Sequence, residues 1–136
     1  MSGPAPGFVL ALDQGGHASR AVAFDTCGRE LASAHVPVAT TRDGADVVEQ
    51  DPVELVRSLR VAAQDACAAD ATRDLPAISA GLATQRSTIV CWERSSGRAL
   101  TSAISWQDRR NAAWLERLRP VAAAIREKTG LVLSPH

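Results

Sequence analysis

LALDQGGHASRAVAFD, Leu10 to Asp25, drives an apolar run into a carboxylate, an amide, two glycines and a lone arginine before turning apolar again. With the residues just before it, Phe8-Val9-Leu10-Ala11-Leu12 reads as a strand buried on both faces. An ionised carboxylate at the end of such a strand is costly to bury unless something pairs with it. Asp13 is therefore expected to be satisfied either by the loop that follows or by a cation. Ser19 to Asp25 alternates well enough for a second strand, Thr26-Cys27-Gly28-Arg29 supplies a turn, and Glu30 to Val38 reads as a third. The three form an antiparallel meander.

Beyond this stretch, the chain of 136 residues is 46% hydrophobic, enough for one domain with a core and short for a two-domain enzyme. Lys and Arg number 15 and Asp and Glu also 15, so no global field favours nucleic acid or a membrane surface. Cys27, Cys67 and Cys91 are odd in number and widely spaced, which fits neither a disulfide framework nor a zinc site and points to the reducing cytoplasm. The longest apolar run is about five residues, against the roughly 20 that span a bilayer, and the start of the chain lacks the basic segment of a secretory signal. Residues 1–6 read as a flexible leader and 7–136 as the folded part.

Further along, the polar segment Ala39 to Asp46 reads as a connection. Asp51 then caps a helix with Pro52 at its first position, and Glu54 has the spacing of a capping box. Val56, Leu59, Ala63 and Cys67 recur at helical spacing and are expected on the sheet, Cys67 as plain core. Ala77 to Thr84 reads as a strand returning beside the first, which closes a βββαβ unit. Thr88 to Glu93 and Arg98 to Ser105 read as a hairpin turning at Ser95-Ser96-Gly97. Helices over Gln107 to about Leu118 and over Pro120 to Lys128 end the chain, with Gly130 as the stop. Trp92 and Trp114 read as core residues.

Chemistry-bearing residues concentrate in three segments, each starting where a strand is predicted to end: Asp13-Gln14-Gly15-Gly16-His17 with Arg20, Gln85-Arg86-Ser87, and Trp106-Gln107-Asp108-Arg109-Arg110. Ligand sites on open α/β sheets gather at strand ends, so the three are expected to converge. Gly15 and Gly16 let backbone N–H groups approach an anion, and Asp13 can hold a hydrated Mg²⁺. The combination suits a nucleotide phosphate, although a Gly-Gly turn after a strand also serves as a simple hairpin and no phosphate-loop signature accompanies it. His17 reads equally well as an exposed turn residue. Asp108, Arg109 and Arg110 suit a helix start with ion pairs better than chemistry.

The blocks ALDQGGHASRAVAFD, VEQDPVEL, GLATQRSTIVCWERSSGRAL, AISWQDRR and KTGLVLSPH resemble, in order and at matching separations, the opening of the FGGY carbohydrate kinases, and among them the glycerol kinases. The resemblance spans Phe8 to His136. It implies an α/β fold of the ribonuclease H-like type shared by actin, hexokinase and Hsp70: a mixed sheet with its first three strands antiparallel and with flanking helices. It also implies a truncated domain, with residues 7–136 forming the first part of the N-terminal sugar-kinase domain and the nucleotide domain absent.

The activity implied is ATP-dependent phosphorylation of a polyol or sugar hydroxyl with Mg²⁺. By the same resemblance Asp13 serves the metal, and Gly15, Gly16, His17 and Arg20 serve the ATP phosphates. Arg86, Ser87, Trp106 and His136 serve the acceptor. The catalytic base lies beyond the chain's last residue, so the chain alone is expected to be inactive, and its open apolar surface to make it self-associate. Glycerol kinases carry two threonines where this chain has Gly16 and His17, and a glutamate where it has Ser87. A serine hydroxyl replaces a two-oxygen acceptor there, which disfavours glycerol and fits a larger or differently hydroxylated substrate. Two other readings are a non-catalytic sugar- or protein-binding module on the same fold and a ribonuclease H-like nuclease. The nuclease needs a second acid near Asp13 and a basic stripe, and neither is evident.

Overall fold

A computed structural model describes residues 6–135. Its larger sheet is built from β1 (Phe8–Gln14), β2 (Ala18–Asp25), β3 (Glu30–Pro37) and β6 (Ala77–Ala83) in the spatial order β3-β2-β1-β6. β1, β2 and β3 pair antiparallel, and β6 returns parallel to β1, so the βββαβ unit read from the sequence is present. The crossover carries helix α1 (Pro52–Ala68). A smaller sheet joins β4 (Thr41–Asp43), β5 (Val47–Gln50) and β7 (Ala103–Ile104) in the order β4-β5-β7.

The core lies between α1 and one face of the larger sheet. Phe8 and Leu10 from β1, Ala21 and Ala23 from β2, and Ala62 and Ala66 from α1 are buried together. Alanines on both sides let the helix come close to the strands, and the buried hydroxyls of Ser19 and Ser58 meet across that seam at 2.7 Å. Phe8 is the largest of these side chains, and its burial contributes about 2–3 kcal/mol. Asp51 caps α1 through a 2.8 Å bond accepted from the Val53 N–H, worth about 1 kcal/mol.

Several expectations are corrected. β1 is buried on one face only: Phe8 and Leu10 point to α1, whereas Val9 and Ala11 are exposed, because no described element packs on the other side of the sheet. Val56 is 60% exposed. The residues of α1 that sink onto the sheet are Ser58, Ala62 and Ala66, and Val56, two positions from Ser58, is turned about 200° away. Cys67 does pack against the core. Glu54 leaves the capping box open and accepts instead from the Ala39 N–H at 3.2 Å.

The connection read over Ala39 to Asp46 contains β4 and the turn into β5, with Gly44 at φ 61°. An Asp-Gly pair ahead of apolar residues was the available signal. The hairpin over 88–105 is reduced to bridges between Ile89 and Ile104 and between Trp92 and Ala99. Gln107 to Arg110 do not enter a helix. α2 (Ala112–Leu115) starts later, a 3₁₀ turn over Glu116–Val121 takes in Pro120, and α3 (Ala122–Thr129) ends at Gly130 with φ 72°. Trp92 and Trp114, expected in the core, are 58% and 53% exposed.

Candidate active site at the tips of β1 and β6

Asp13 sits on β1 directly across from Arg20 of β2 and beside Ala83 of β6. It is exposed on the sheet face away from α1, and no hydrogen bond or ion pair reaches it among the described residues. The loop that follows therefore does not satisfy it. Arg20 shares that open face with Ser33 and His35. No cluster of three or more His, Cys, Asp or Glu side chains able to hold a metal occurs among the described residues.

After β1 the chain turns through Gly15-Gly16-His17. Gly15 donates its N–H to the Ala18 carbonyl at 2.9 Å, and a Cβ on Gly15 would come within 2.8 Å of that same oxygen, so only glycine fits. The carbonyls of the turn are all taken. Gly15 O accepts from Gln85 Nε2 at 3.1 Å, Gly16 O from Gln50 Nε2 at 2.9 Å, and His17 O from the Val38 N–H at 2.9 Å. The N–H groups of Gly16 and His17 have no acceptor among the described residues. His17 itself is exposed.

Beyond β6, Gln85, Arg86, Ser87 and Trp106 line a pocket of 430 Å³. Ser87 holds a φ of 62°, a left-handed conformation that costs a non-glycine residue about 1–2 kcal/mol and concentrates at binding sites. The Trp106 indole is 44% exposed over the pocket. Its Nε1 lies 3.6 Å from where a Gly16 Cβ would stand, so the glycine turn forms the far side of the indole's surroundings. The first and second segments and the start of the third thus meet at one end of the sheet.

The loop that presents Trp106 is pinned by Asp108, which is 6% exposed. Its carboxylate accepts from the Val48 N–H at 2.8 Å and from the Arg110 guanidinium at 2.7 and 2.9 Å, and Arg110 reaches on to Glu49 at 2.7 Å. The Arg110 hydrogen bonds, helped by the Val48 and Arg110 N–H groups, outweigh burial and bring Asp108 down to about 2. Asp108 and Arg110 therefore hold structure, as the sequence suggested. His136 lies outside the described residues. Gln50, Thr40 and Thr88 were not singled out from the sequence and Gln85 only as part of its segment, since nothing there marks an amide or a hydroxyl as an internal tie.

Comparison with known proteins agrees with this architecture. The model of the FGGY family of carbohydrate kinases, N-terminal domain, matches residues 8–136. Glycerol kinase of Rhodospirillum rubrum is 42% identical over 133 residues, and that of Methylibium petroleiphilum 38% over 133. In both cases the match takes in 95% of this chain and 26% of the relative, so the chain spans about a quarter of the length of these relatives. Among solved structures, Plasmodium falciparum glycerol kinase with ADP superposes with a TM-score of 0.85 at 20% identity, over 96% of this chain and 26% of that one. Xylulose kinase from Rhodospirillum rubrum gives 0.84 at 19%, over 93% and 26%. With its mixed sheet and ribonuclease H-like fold, the chain belongs to the FGGY family of carbohydrate kinases.

Proposed function

We propose that the full-length polypeptide carrying this chain works in the cytoplasm, transferring the γ-phosphoryl group of ATP to a hydroxyl of a polyol or sugar. One observation carries this reading: the glycine turn, with the Gly16 and His17 N–H groups left without an acceptor among the described residues, shares the Trp106 indole with the pocket of Arg86 and Ser87. Phosphoryl transfer asks the protein chiefly to set donor phosphate and acceptor hydroxyl side by side and to neutralise charge. Gly16 and His17 take the phosphates, with Arg20 as counter-charge; Gly15, expected to join them, spends its N–H on Ala18 O and serves to close the turn. Arg86, Ser87 and Trp106 take the acceptor, the indole packing on its apolar side. His136 joins the acceptor site on resemblance alone.

The residues present fit Mg²⁺. Asp13 is one exposed carboxylate with no competing partner, and this ion keeps several waters and takes phosphate oxygens besides one or two carboxylates. When bound, Mg²⁺ offsets phosphate charge. Ser87 offers one hydroxyl where glycerol kinases have a carboxylate, so the acceptor is larger or differently hydroxylated than glycerol.

A coupled ADP-release assay of the full-length protein across polyols and sugars tests this. Asp13→Asn is expected to lower kcat by about 100-fold or more with acceptor binding nearly unchanged, and Arg86→Ala to raise the acceptor KM by about 10-fold. Binding of a polyol without any ADP release would favour the non-catalytic module. In isolation the 136-residue chain neither turns over ATP nor stays monomeric. Every residue of β6 is exposed at the end of the sheet order, a free edge suited to pairing. ADP release or a monomeric mass by light scattering would overturn these two statements.

A further inference from the structure

Two glutamine side chains do something that the roles above leave unassigned. Gln50 is 3% exposed at the end of β5, and Gln85 opens the acceptor loop. Carbonyl oxygens only accept, so both amides must present their NH₂ ends to the turn: Gln50 Nε2 to Gly16 O at 2.9 Å, Gln85 Nε2 to Gly15 O at 3.1 Å. The remaining directions follow. Gln50 Oε1 accepts from Gln85 Nε2 at 3.0 Å, and Gln85 Oε1 accepts from the Thr88 hydroxyl at 3.0 Å. The Thr88 oxygen, having given its proton, accepts the Trp106 N–H at 3.2 Å. Gln50 Nε2 also lies 3.3 Å from Thr40 Oγ1.

In a trans peptide plane the C=O and the N–H that follows it point in opposite directions. Holding Gly15 O therefore aims the Gly16 N–H away from the amides, and holding Gly16 O does the same for the His17 N–H. These are the two N–H groups left without an acceptor. The geometry points to Gln50 and Gln85 as positioning residues that fix the peptide planes of the Gly15-Gly16-His17 turn for a phosphate, with Thr88 tying that setting to the acceptor loop and Trp106. This rests on reading the turn as the phosphate site. The chain is buried at Gln50 and partly buried through Gln85 and Thr88, and each member's bond orients the next, so a break at one end disturbs the other.

The test is the affinity of the full-length protein for ADP with Mg²⁺, by calorimetry with no acceptor present. Gln50→Leu keeps the shape and removes the donor. Thr88→Val cuts the far end without touching the turn, and Thr88→Ser keeps the hydroxyl. Gln50→Leu and Thr88→Val are each expected to weaken ADP by about 5- to 20-fold. The double variant should be no weaker than the weaker single, since the ties act in series. Thr88→Ser should bind as wild type does. Far-UV circular dichroism confirms the fold of each variant, and Thr88→Val alone carries the test if Gln50→Leu unfolds. The proposal is overturned if Thr88→Val binds ADP within about 2-fold of wild type, if Thr88→Ser is as weak as Thr88→Val, or if the two losses add in full. Wild-type protein that binds no ADP would instead remove the phosphate reading of the turn, and the positioning role with it.

Discussion

The layer of β1, β2, β3 and α1 and the stretch from Thr84 to Pro135 are held by different forces. In the first, Phe8, Leu10 and four alanines make a dry seam between helix and sheet. In the second, α2, the 3₁₀ turn and α3 contain no buried residue, and placement rests on Asp108, Arg110 and Glu49 together with the amide ties to the glycine turn. Packing is non-directional and yields by degrees, whereas a charged hydrogen bond in a buried setting is either made or costly. The candidate site lies where the two meet. The glycine turn is carried by the sheet, and the Arg86–Trp106 pocket by polar contacts that a single substitution can undo.

That contrast can be broken most forcefully at Phe8. Phe8→Ala should cost about 3–5 kcal/mol in denaturant unfolding, because it leaves a cavity where the seam's largest side chain was buried; a loss below about 1 kcal/mol would mean the sheet does not depend on that packing. Asp108→Ala should cost about 2–4 kcal/mol by stranding the Val48 N–H and a guanidinium.

Acid titration sharpens the same point. Asp108 is held at about 2, below its ordinary 3.8, so its contribution is complete above pH ~4 and disappears as the pH falls towards 2. Wild type should lose stability across that window more steeply than the Asp108→Ala protein, and parallel curves would exclude the ion cluster as a stabiliser. The smallest effect belongs to Trp114, half exposed on α2: Trp114→Ala should stay within about 0.5 kcal/mol of the parent in the same unfolding measurement.

The strands of the larger sheet and α1 were legible because alternation, a Pro after an Asp cap and an apolar run each leave a local mark, whereas β4 and β5 were not read. The expected convergence of strand ends was legible for the same reason, since Asp13 lies near the end of β1 and Gln85 and Trp106 follow β6 and β7. Partnership was not. Val9, Trp92 and Trp114 have core-like composition, but exposure is decided by what packs against them, which no local pattern records. Asp108 overrode the helical reading of Gln107 to Leu118, because its carboxylate caps its own loop and clamps Val48 instead of starting a helix. The ties made by Gln50 and Gln85 were invisible because their partners are backbone carbonyls 34 and 70 residues away.

The backward-handed backbone at Ser87 limits which side chain can stand at the lip of the pocket beside Trp106. Branching at Cβ is what such a twist tolerates least, so an alcohol group at this place has to be carried by serine and not by threonine. Any replacement at position 87 therefore draws from a short menu of unbranched side chains, chosen by the main chain before the chemistry of the pocket has a say.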